Sequence, residues 1–478
     1  MKPDPITQIR KLLHSSGYIQ PCTLTPLPSS GSDRQYYHIV FDGADLPALM
    51  AFYNPCVEEN RAQLEFTRHF KNLGLSVPEV LATDSSETIF ILPYLGNQTL
   101  FDMASKGVSE EVIHYYKKAL SDLVQFQING VKGLNMDLAY PVPDFDRQSI
   151  LWDLNYFKYC FLKPAGIAFN EHLLEIDFQH FADVLAQSKP DFFCYRDFQA
   201  RNIMIYHDKP WYIDFQGGRR GPLPYDVVSL LHQVKANLPE DIKDSLYNHY
   251  ISQLRLVAPQ EPDHVQHHYN HFVYFRLLQV MGAYGFRGLV ERKAHFLQSI
   301  PFAAAAVKFR LKHHPLNISL PEIEQVLEQI IQQYSMIEIA NTEKLTVTIN
   351  SFSFKKKGLP IDLTGNGGGT VFDCRGLPNP HRVAALRDLT GEDHAISEYM
   401  RAQPITEVFL NHAFSLIDLS VENYLKRGFN HLQVNFGCTG GRHRSVYGAI
   451  QMQQHLQNKY PQVIVVLNHL EINKQKHD

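Results

Sequence analysis

The sequence has few cysteines and no long hydrophobic run, and each shortage excludes a class of protein. Its six cysteines are spread over 478 residues and none stand as CxxC, so neither a disulfide framework nor a structural zinc site is expected. No apolar stretch approaches the roughly 20 residues that a membrane-spanning helix needs. The opening MKPDPITQIRKLLHSSGY lacks the apolar core of a signal peptide. We therefore expect a cytoplasmic protein that does not bind membranes.

An excess of charge of one sign is also missing. The formal net charge is −4, and charged residues make up 20% of the chain. This balance is ordinary for a globular protein and gives no whole-chain argument for a nucleic-acid partner. The 24 histidines form no HExxH motif or similarly spaced metal set. The length exceeds what one hydrophobic core usually serves, so two or three domains are expected.

The first part of the chain has the pattern of a small β-rich lobe followed by a helical one. RQYYHIVF and LPALMAFYN predict two antiparallel strands joined by the turn DGAD, and VPEVLATDSSETIFILPYLG predicts further strands. Between them, EENRAQLEFTRHFKNLG predicts a helix that ends at a glycine. Helical patterns then prevail as far as about Ser335. This outline favours an α+β, two-lobed kinase-like domain over 1–338, with lobes at about 1–93 and 94–338.

Polar residues interrupt an otherwise apolar stretch, CYRDFQARNIMIYHDKPWYIDFQGG. Asp197 lies in a predicted turn, Asn202 follows five positions later, and Asp214 stands at the end of the predicted strand WYIDF. Phosphoryl transfer needs a carboxylate that takes the proton of the acceptor hydroxyl, and an amide and a second carboxylate that hold Mg²⁺. We therefore predict that Asp197 is catalytic and that Asn202 and Asp214 bind the metal. The alternative is a set of turn-capping residues on an ordinary hairpin.

The same stretch carries a family resemblance. RDFQARNIMI and IDFQGGRRGPLPYDVVSLL, together with GLSVPEVLATD and ILPYLGNQTL, resemble the aminoglycoside phosphotransferase-like kinase superfamily over roughly 20–335. Within it they are most similar to the anomeric kinases of N-acetylmuramate and N-acetylglucosamine (AmgK). The resemblance implies a transferase that uses Mg²⁺ and ATP or GTP. It implies an amino-sugar acceptor, phosphorylated at the anomeric hydroxyl, and a role in cell-wall recycling.

The chain departs from that family pattern at two places. Tyr195 stands where the motif has histidine, and the strand ALMAFYNP offers no lysine for the nucleotide phosphates. SSGSDRQYY occupies the position of the phosphate-covering loop, so Gly31, Ser32 and Arg34 are candidate nucleotide-binding residues, with Arg34 supplying the missing positive charge. An exposed loop arginine explains Arg34 equally well. Both departures leave open a regulator with a degenerate kinase fold.

The acceptor side is indicated by one helix and one arginine pair. LWDLNYFKYCFL resembles the substrate-side helix of the family, which makes Trp152 and Asp153 candidates for contacting a sugar; a plain amphipathic helix gives the same pattern. In GGRRGP, Arg219 and Arg220 follow Asp214. An arginine here can bind an acidic substrate such as the lactyl carboxylate of N-acetylmuramate, or be solvated.

Beyond the kinase-like region, alternating strand and helix patterns predict a separate α/β domain over 345–478. One of its loops lies between the buried strand HLQVNFGC and a helix. The loop comprises Cys438, Thr439, Gly440, Gly441, Arg442, His443, Arg444 and Ser445. Its glycines turn backbone N–H groups inward, and the helix start and the arginines add positive charge, so we predict a phosphate or other anion site.

Four motifs in order give this domain its own resemblance. SFSFKKKGLPID, VFDCRGLPNP, LTGEDHAISEYM and GCTGGRHRSVY resemble the C-terminal domain of the RNase adapter protein RapZ over nearly all of 345–470. The resemblance implies a phosphosugar ligand such as glucosamine-6-phosphate at the predicted loop. It implies RNA binding in some members, a role disfavoured here because the basic residues are few. Asn379, His381 and Arg382 in LPNPHR are further candidates for the pocket.

An alternative is that the loop is a cysteine-dependent phosphatase site. Cys438 to Arg444 has the form C-x5-R, in which the cysteine would act as a thiolate nucleophile. Gly437 replaces the histidine that usually precedes such a cysteine. The fusion itself suggests that a phosphosugar bound at this domain tunes the kinase.

Overall fold

The computed structural model describes residues 4–27, 34–43, 46–334, 344–356, 358–362, 364 and 368–472. The chain divides into two compact units, Met1–Phe286 with Ser299–Gln333, and Arg287–Gln298 with Tyr334–Asp478. Most of the predicted linker between the two domains lies outside the described residues, so the predicted boundaries stay predictions. Within the described ranges, no helix is both long enough and apolar enough to cross a bilayer.

The first unit begins with an antiparallel sheet. Its elements are α1 (Pro5–Ser15), β1 (Cys22–Pro26), β2 (Gln35–Phe41), β3 (Leu49–Tyr53), α2 (Val57–Asn72), β4 (Ala82–Thr83) and β5 (Ile89–Pro93). The strands pair in the order β1-β2-β3-β5-β4. Alternate positions such as Ile39, Ala51 and Ile91 are buried together with Ile9 of α1. The positions between them, Phe52 and Phe90, are buried in a second cluster, so both faces of β3 and β5 are covered. The predicted β-rich lobe is confirmed.

The next part of the chain is mainly helical. Its helices are α3 (Leu100–Ala104), α4 (Glu110–Ile128), α5 (Arg147–Phe157), α6 (Lys163–Ala165), α7 (Glu171–Leu185), α8 (Pro224–Leu231), α9 (Glu240–Val257), α10 (Pro262–Tyr284), α11 (Ala294–Leu297), α12 (Ile300–His313) and α13 (Pro321–Tyr334). Single π-helical stretches occur at Lys158–Leu162 and Gly285–Val290. Phe126 of α4 is fully buried in the core cluster of this part.

Two strand pairs interrupt these helices. The predicted polar residues lie in the segments that adjoin these strands. β6 (Phe192–Cys194) pairs with β9 (Arg219–Gly221), and β7 (Ile203–Tyr206) pairs with β8 (Lys209–Tyr212), both antiparallel. The predicted hairpin is therefore present. β8 ends at Tyr212, so Asp214 follows the strand instead of ending it, and Asp214 has a left-handed backbone with φ of 68°.

The second unit is an α/β structure with a parallel sheet. Its elements are β10 (Thr346–Ser353), β11 (Thr370–Asp373), α14 (His394–Arg401), α15 (Pro404–Arg427), β12 (His431–Cys438), α16 (Arg444–Lys459) and β13 (Ile464–His469). The strands lie in the order β11-β12-β10-β13. Asn350 donates to Asn435 at 2.9 Å and accepts from Asn468 at 3.2 Å. These three asparagines are register partners on adjacent strands, so the amide row satisfies buried polar groups across the sheet.

Candidate active site and anion site

The structure brings the three predicted residues of the catalytic stretch together. The Nδ2 atom of Asn202 donates to the Oδ2 atom of Asp197 at 3.0 Å, and it lies 3.5 Å from the Oδ2 atom of Asp214. Backbone contacts fix this arrangement, because the N–H of Ile213 donates to the carbonyl of Asn202 at 3.1 Å. Two carboxylates and an amide therefore converge where β6, β7 and β8 end or begin.

A buried carboxylate that the sequence analysis missed holds the loop before Asp197. Asp226 of α8 is 0% exposed and accepts the backbone N–H groups of Tyr195 at 2.8 Å and Arg196 at 3.0 Å. Arg196 has a left-handed backbone with φ of 72°, which is unfavourable for a bulky residue. Burial raises the pKa of Asp226 to about 7, against the opposing effect of the two N–H groups. A lone aspartate in the apolar stretch YDVVSLL was the available signal.

Tyr195, which replaces the family histidine, joins the two halves of the site. Its hydroxyl donates to the carbonyl of Ile213 at 2.7 Å, next to Asp214. Its ring packs edge-on against Phe126 and Phe198. The residue is fully enclosed, so its contacts are those of a structural residue that fixes the loop to the following hairpin.

Arg34 lies on the metal side of the site. Its Nη1 atom donates to Asp214 at 2.6 Å, and its Nη2 atom pairs with Glu59 of α2. Burial lowers the pKa of Arg34, but the negative charges of Asp214 and Glu59 outweigh it and raise the pKa overall. Glu59 was missed by the sequence analysis, and its position in the first turn of a helix gave no signal of a partner. Gly31 and Ser32 lie outside the described residues, so their role stays a prediction.

The ionisation of Asp214 suits a metal ligand. Burial raises its pKa, but Arg34, Gln216 and Arg201 together lower it further than burial raises it. Asp214 is therefore ionised at neutral pH. In the described parts of the chain, no group of three or more His, Cys, Asp or Glu side chains could hold a metal ion. Two carboxylates and one amide instead fit Mg²⁺ that arrives with nucleotide phosphates, because such ions use few protein ligands.

The predicted acceptor residues separate into a buried network and an exposed ring. Asp153 of α5 accepts from Arg196 at 3.0 Å and from Gln279 at 2.9 Å. Arg276 donates to Gln279 and lies 3.7 Å from the Oδ1 atom of Asp197. Asp153 is thus connected to the catalytic carboxylate through side chains. Trp152, the next residue, is 50% exposed.

In the second unit, two residues of the predicted anion loop contact the side chain of Cys438. The Sγ atom of Cys438 accepts the N–H of Gly441 at 3.2 Å and lies 3.2 Å from the Oγ atom of Ser445. Gly441 has φ of 69°, which favours glycine. Burial raises the pKa of Cys438, but the bonds from Ser445 and Gly441 and the charge of Arg444 lower it further.

The basic side chains of the same loop differ in their contacts. Arg444 is buried and donates to the carbonyls of Arg375 at 2.9 Å and Leu377 at 3.0 Å. The Nε atom of Arg442 and the Nε2 atom of His443 are buried with no hydrogen-bond partner among the described residues. Unpaired buried polar atoms are rare in folded proteins. The unpaired Nε–H of Arg442 and the start of α16 are the features on which the predicted anion site depends.

These features are those of a kinase-like phosphotransferase domain followed by an α/β unit. The chain belongs to the phosphotransferase enzyme family, whose model matches residues 23–264. The model of the RapZ C-terminal domain matches residues 345–473, in agreement with the resemblance of that region.

Curated relatives match parts of the chain. A nucleotide-binding protein of Halothermothrix orenii is 31% identical over 185 residues, which are 39% of this chain and 59% of that protein. A nucleotide-binding protein of Moorella thermoacetica is 38% identical over 137 residues, 29% of this chain and 44% of that protein. The chain thus spans about half the length of the curated relatives it matches.

Solved structures with related folds have low sequence identity to this chain. An ethanolamine kinase of Plasmodium vivax is 13% identical with a TM-score of 0.45, over 62% of this chain and 84% of that one. A choline/ethanolamine kinase family protein of Mesorhizobium loti is 15% identical with a TM-score of 0.43, over 68% of this chain and 99% of that one.

Proposed function

We propose that the protein transfers the γ-phosphoryl group of ATP to the anomeric hydroxyl of an N-acetylated amino sugar, N-acetylmuramate or N-acetylglucosamine. One observation carries the phosphoryl-transfer part. Asp197 lies between a metal-side carboxylate, Asp214, and an acceptor-side network that begins at Arg276. The motif resemblance to anomeric sugar kinases supports the choice of acceptor.

In this mechanism each residue has a separate task. Asp197 orients the acceptor hydroxyl and takes its proton, and Asn202 keeps the carboxylate in place. Asn202 and Asp214 would hold Mg²⁺, which neutralises charge on the phosphates when bound. Arg34, already positioned at Asp214 by Glu59, would bind the phosphates in place of the missing lysine.

Phosphorus NMR tests this proposal directly. The protein is incubated with Mg²⁺ and ATP, or GTP, and with N-acetylmuramate, N-acetylglucosamine, glucosamine or choline. We expect an anomeric phosphate from at least one N-acetylated sugar with wild-type protein and with Asp191→Ala, an exposed aspartate before β6, and none with Asp197→Ala. Esterified choline alone, or no ester at all, would overturn the sugar-kinase proposal.

We further propose that the second unit binds an amino-sugar phosphate at the Cys438–Ser445 loop and tunes the kinase. The unpaired Nε–H donor of Arg442 supports an anionic ligand. Isothermal titration with glucosamine-6-phosphate tests binding, and sugar-kinase rates across the same titration test the tuning. Equal rates at all concentrations would exclude regulation by this ligand.

One observation favours a second candidate for the loop, the cysteine-dependent phosphatase. The lowered pKa of Cys438, caused by Ser445, Gly441 and Arg444 against the effect of burial, is what a thiolate nucleophile requires. Loss of phosphate release in Cys438→Ser would support it, and a wild type that releases no phosphate from sugar phosphates would dispose of it. RNA binding that persists in Asp197→Ala, without turnover of any sugar, would instead favour a regulator.

A further inference from the structure

The kinase-like unit contains a buried arginine that pairs with no carboxylate. Arg219 of β9 is 7% exposed, and its guanidinium donates to the carbonyl of Gly217 at 3.2 and 3.1 Å. None of the ion pairs found among the described residues includes it. Burial lowers its pKa to about 10, and the nearby positive charge of Arg196 adds to that effect. Its neighbour Arg220 is different, since it is exposed and pairs with Asp144 at 2.6 Å.

A second arginine beside it has an unsatisfied donor. The guanidinium of Arg196 lies 4.6 Å from the ring of Phe145 and 4.7 Å from the ring of Tyr225. Its Nη2 atom pairs with Asp153 at 3.0 Å, whereas its Nη1 atom is buried without a hydrogen-bond partner in the described residues. Leaving such a buried donor without a partner is unfavourable.

Charge in this region is therefore out of balance. Arg219 is buried and Arg196 is partly buried, with its Nη1 atom enclosed, and among the described residues the two form an ion pair with one carboxylate, Asp153. A buried charge normally requires a partner and further hydrogen bonds. The imbalance points to an anion that is not part of this chain.

The arginine pair belongs to the acceptor side of the site. Arg219 lies opposite Cys194 in the β6–β9 pair, which leads directly into the loop of Asp197. Asp153 accepts from both Arg196 and Gln279. Gln279 in turn accepts from Arg276, which lies 3.7 Å from Asp197. A molecule that reaches Asp197 from this side is therefore close to the pair.

We propose that Arg196 and Arg219 together bind a carboxylate of the acceptor, so that the substrate is an acidic sugar and a neutral one is a poor substitute. This inference rests on the proposed function and names the substrate class. A carboxylate can accept parallel N–H bonds from a guanidinium, and it replaces the missing counter-ion. A neutral sugar would supply no counter-ion for either arginine.

Equilibrium binding tests this inference without requiring turnover. N-acetylmuramate and N-acetylglucosamine differ by the lactyl carboxylate, and each is titrated calorimetrically into wild type, Arg219→Gln, Arg219→Lys and the matched control Arg220→Gln. Charge-assisted hydrogen bonds contribute about 1.5–3 kcal/mol each, or roughly ten- to hundredfold in affinity. We expect wild type and Arg220→Gln to prefer the acid by at least about tenfold.

The variants at position 219 separate charge from fold. Arg219→Gln should lose the preference while N-acetylglucosamine affinity changes less than about threefold, and Arg219→Lys should retain part of it. Equal affinity of wild type for both sugars overturns the inference even if the variants do not fold, and so does an unchanged preference in Arg219→Gln. Anomeric phosphorylation of N-acetylglucosamine without any preference would contradict the inference and leave the proposed kinase intact. Preferential binding of the acidic sugar without its phosphorylation would support the inference about the arginine pair and contradict the proposed kinase activity.

Discussion

Replacing the carboxylate of Asp226 by an amide should loosen the loop that contains Tyr195, Arg196 and Asp197 without unfolding the protein. In Asp226→Asn the side chain keeps one acceptor, whereas the structure uses both oxygens, one for the N–H of Tyr195 and one for the N–H of Arg196. Because the pKa of Asp226 is raised to about 7, the comparison is made above that pH, where the carboxyl is ionised. A hydrogen bond to a charged group contributes about 1.5–3 kcal/mol, which corresponds to roughly ten- to hundredfold in the opening equilibrium of the loop. Hydrogen–deuterium exchange of a peptide covering 192–203 measures that opening, and we expect its protection to fall by this factor.

A second buried aspartate in the same unit provides the control. Asp177 accepts the N–H groups of Glu322 at 2.7 Å and Ile323 at 2.9 Å, and neither contact involves the catalytic loop. Both N–H groups donate to the same oxygen, Oδ2, so Asp177→Asn removes the charge but keeps one acceptor for them. Exchange near 322–323 should therefore increase modestly, and exchange over 192–203 should not change. The reasoning is refuted if Asp226→Asn alters loop exchange by less than about twofold, or if both variants accelerate exchange throughout the unit.

Three further substitutions test other contacts. Tyr195→Phe should lower the free energy of unfolding by about 1–2 kcal/mol in urea titrations, through one lost buried hydrogen bond, with a phosphotransfer rate within about twofold of wild type; a large loss of rate would assign Tyr195 a catalytic role. Arg34→Gln should raise the KM for Mg·ATP at least about tenfold, because the phosphates would lose a cation, while Glu59 would keep only its hydrogen bond from Asn54. An unchanged KM would contradict the phosphate role. Arg442→Gln should weaken calorimetric binding of glucosamine-6-phosphate at least about tenfold, whereas the exposed Arg427→Gln should not; equal losses would point to non-specific charge.

Local patterns predicted the elements of the fold well. The helical patterns predicted as far as about Ser335 end in the structure with α13 at Tyr334, and the buried strand HLQVNFGC is β12. Period-2 and period-3.6 patterns of apolar residues reflect a covered face, and a covered face is a local property of a strand or helix. The matches to the two family models confirm the kinase-like fold and the separate α/β domain.

The contacts that complete the site could not be predicted in the same way. Arg34 and Asp214 are 180 residues apart in sequence, and nothing near either residue specifies the other. The sequence marks Asp226 as an unusual aspartate but does not identify its partners, because these are backbone N–H groups, which every residue except proline possesses. Polar pairing between distant segments depends on the finished fold, so sequence patterns give the candidates and the structure gives their partners.

The absence of a lysine from β3 and the presence of Arg34 just before β2 have one explanation in the proposed mechanism, in which the arginine replaces the lysine. A lysine offers a compact ammonium, whereas a guanidinium carries five N–H donors in a planar fork. Arg34 uses that fork to contact Asp214 through Nη1 and Glu59 through Nη2, and so links a helix of the small lobe to the segment that follows β8. Its Nε atom remains buried without a partner among the described residues, so donor capacity is left for a phosphate. In the proposed mechanism Arg34 would therefore position Asp214 and bind the nucleotide phosphates at once, which an ammonium at the end of a flexible chain does less well.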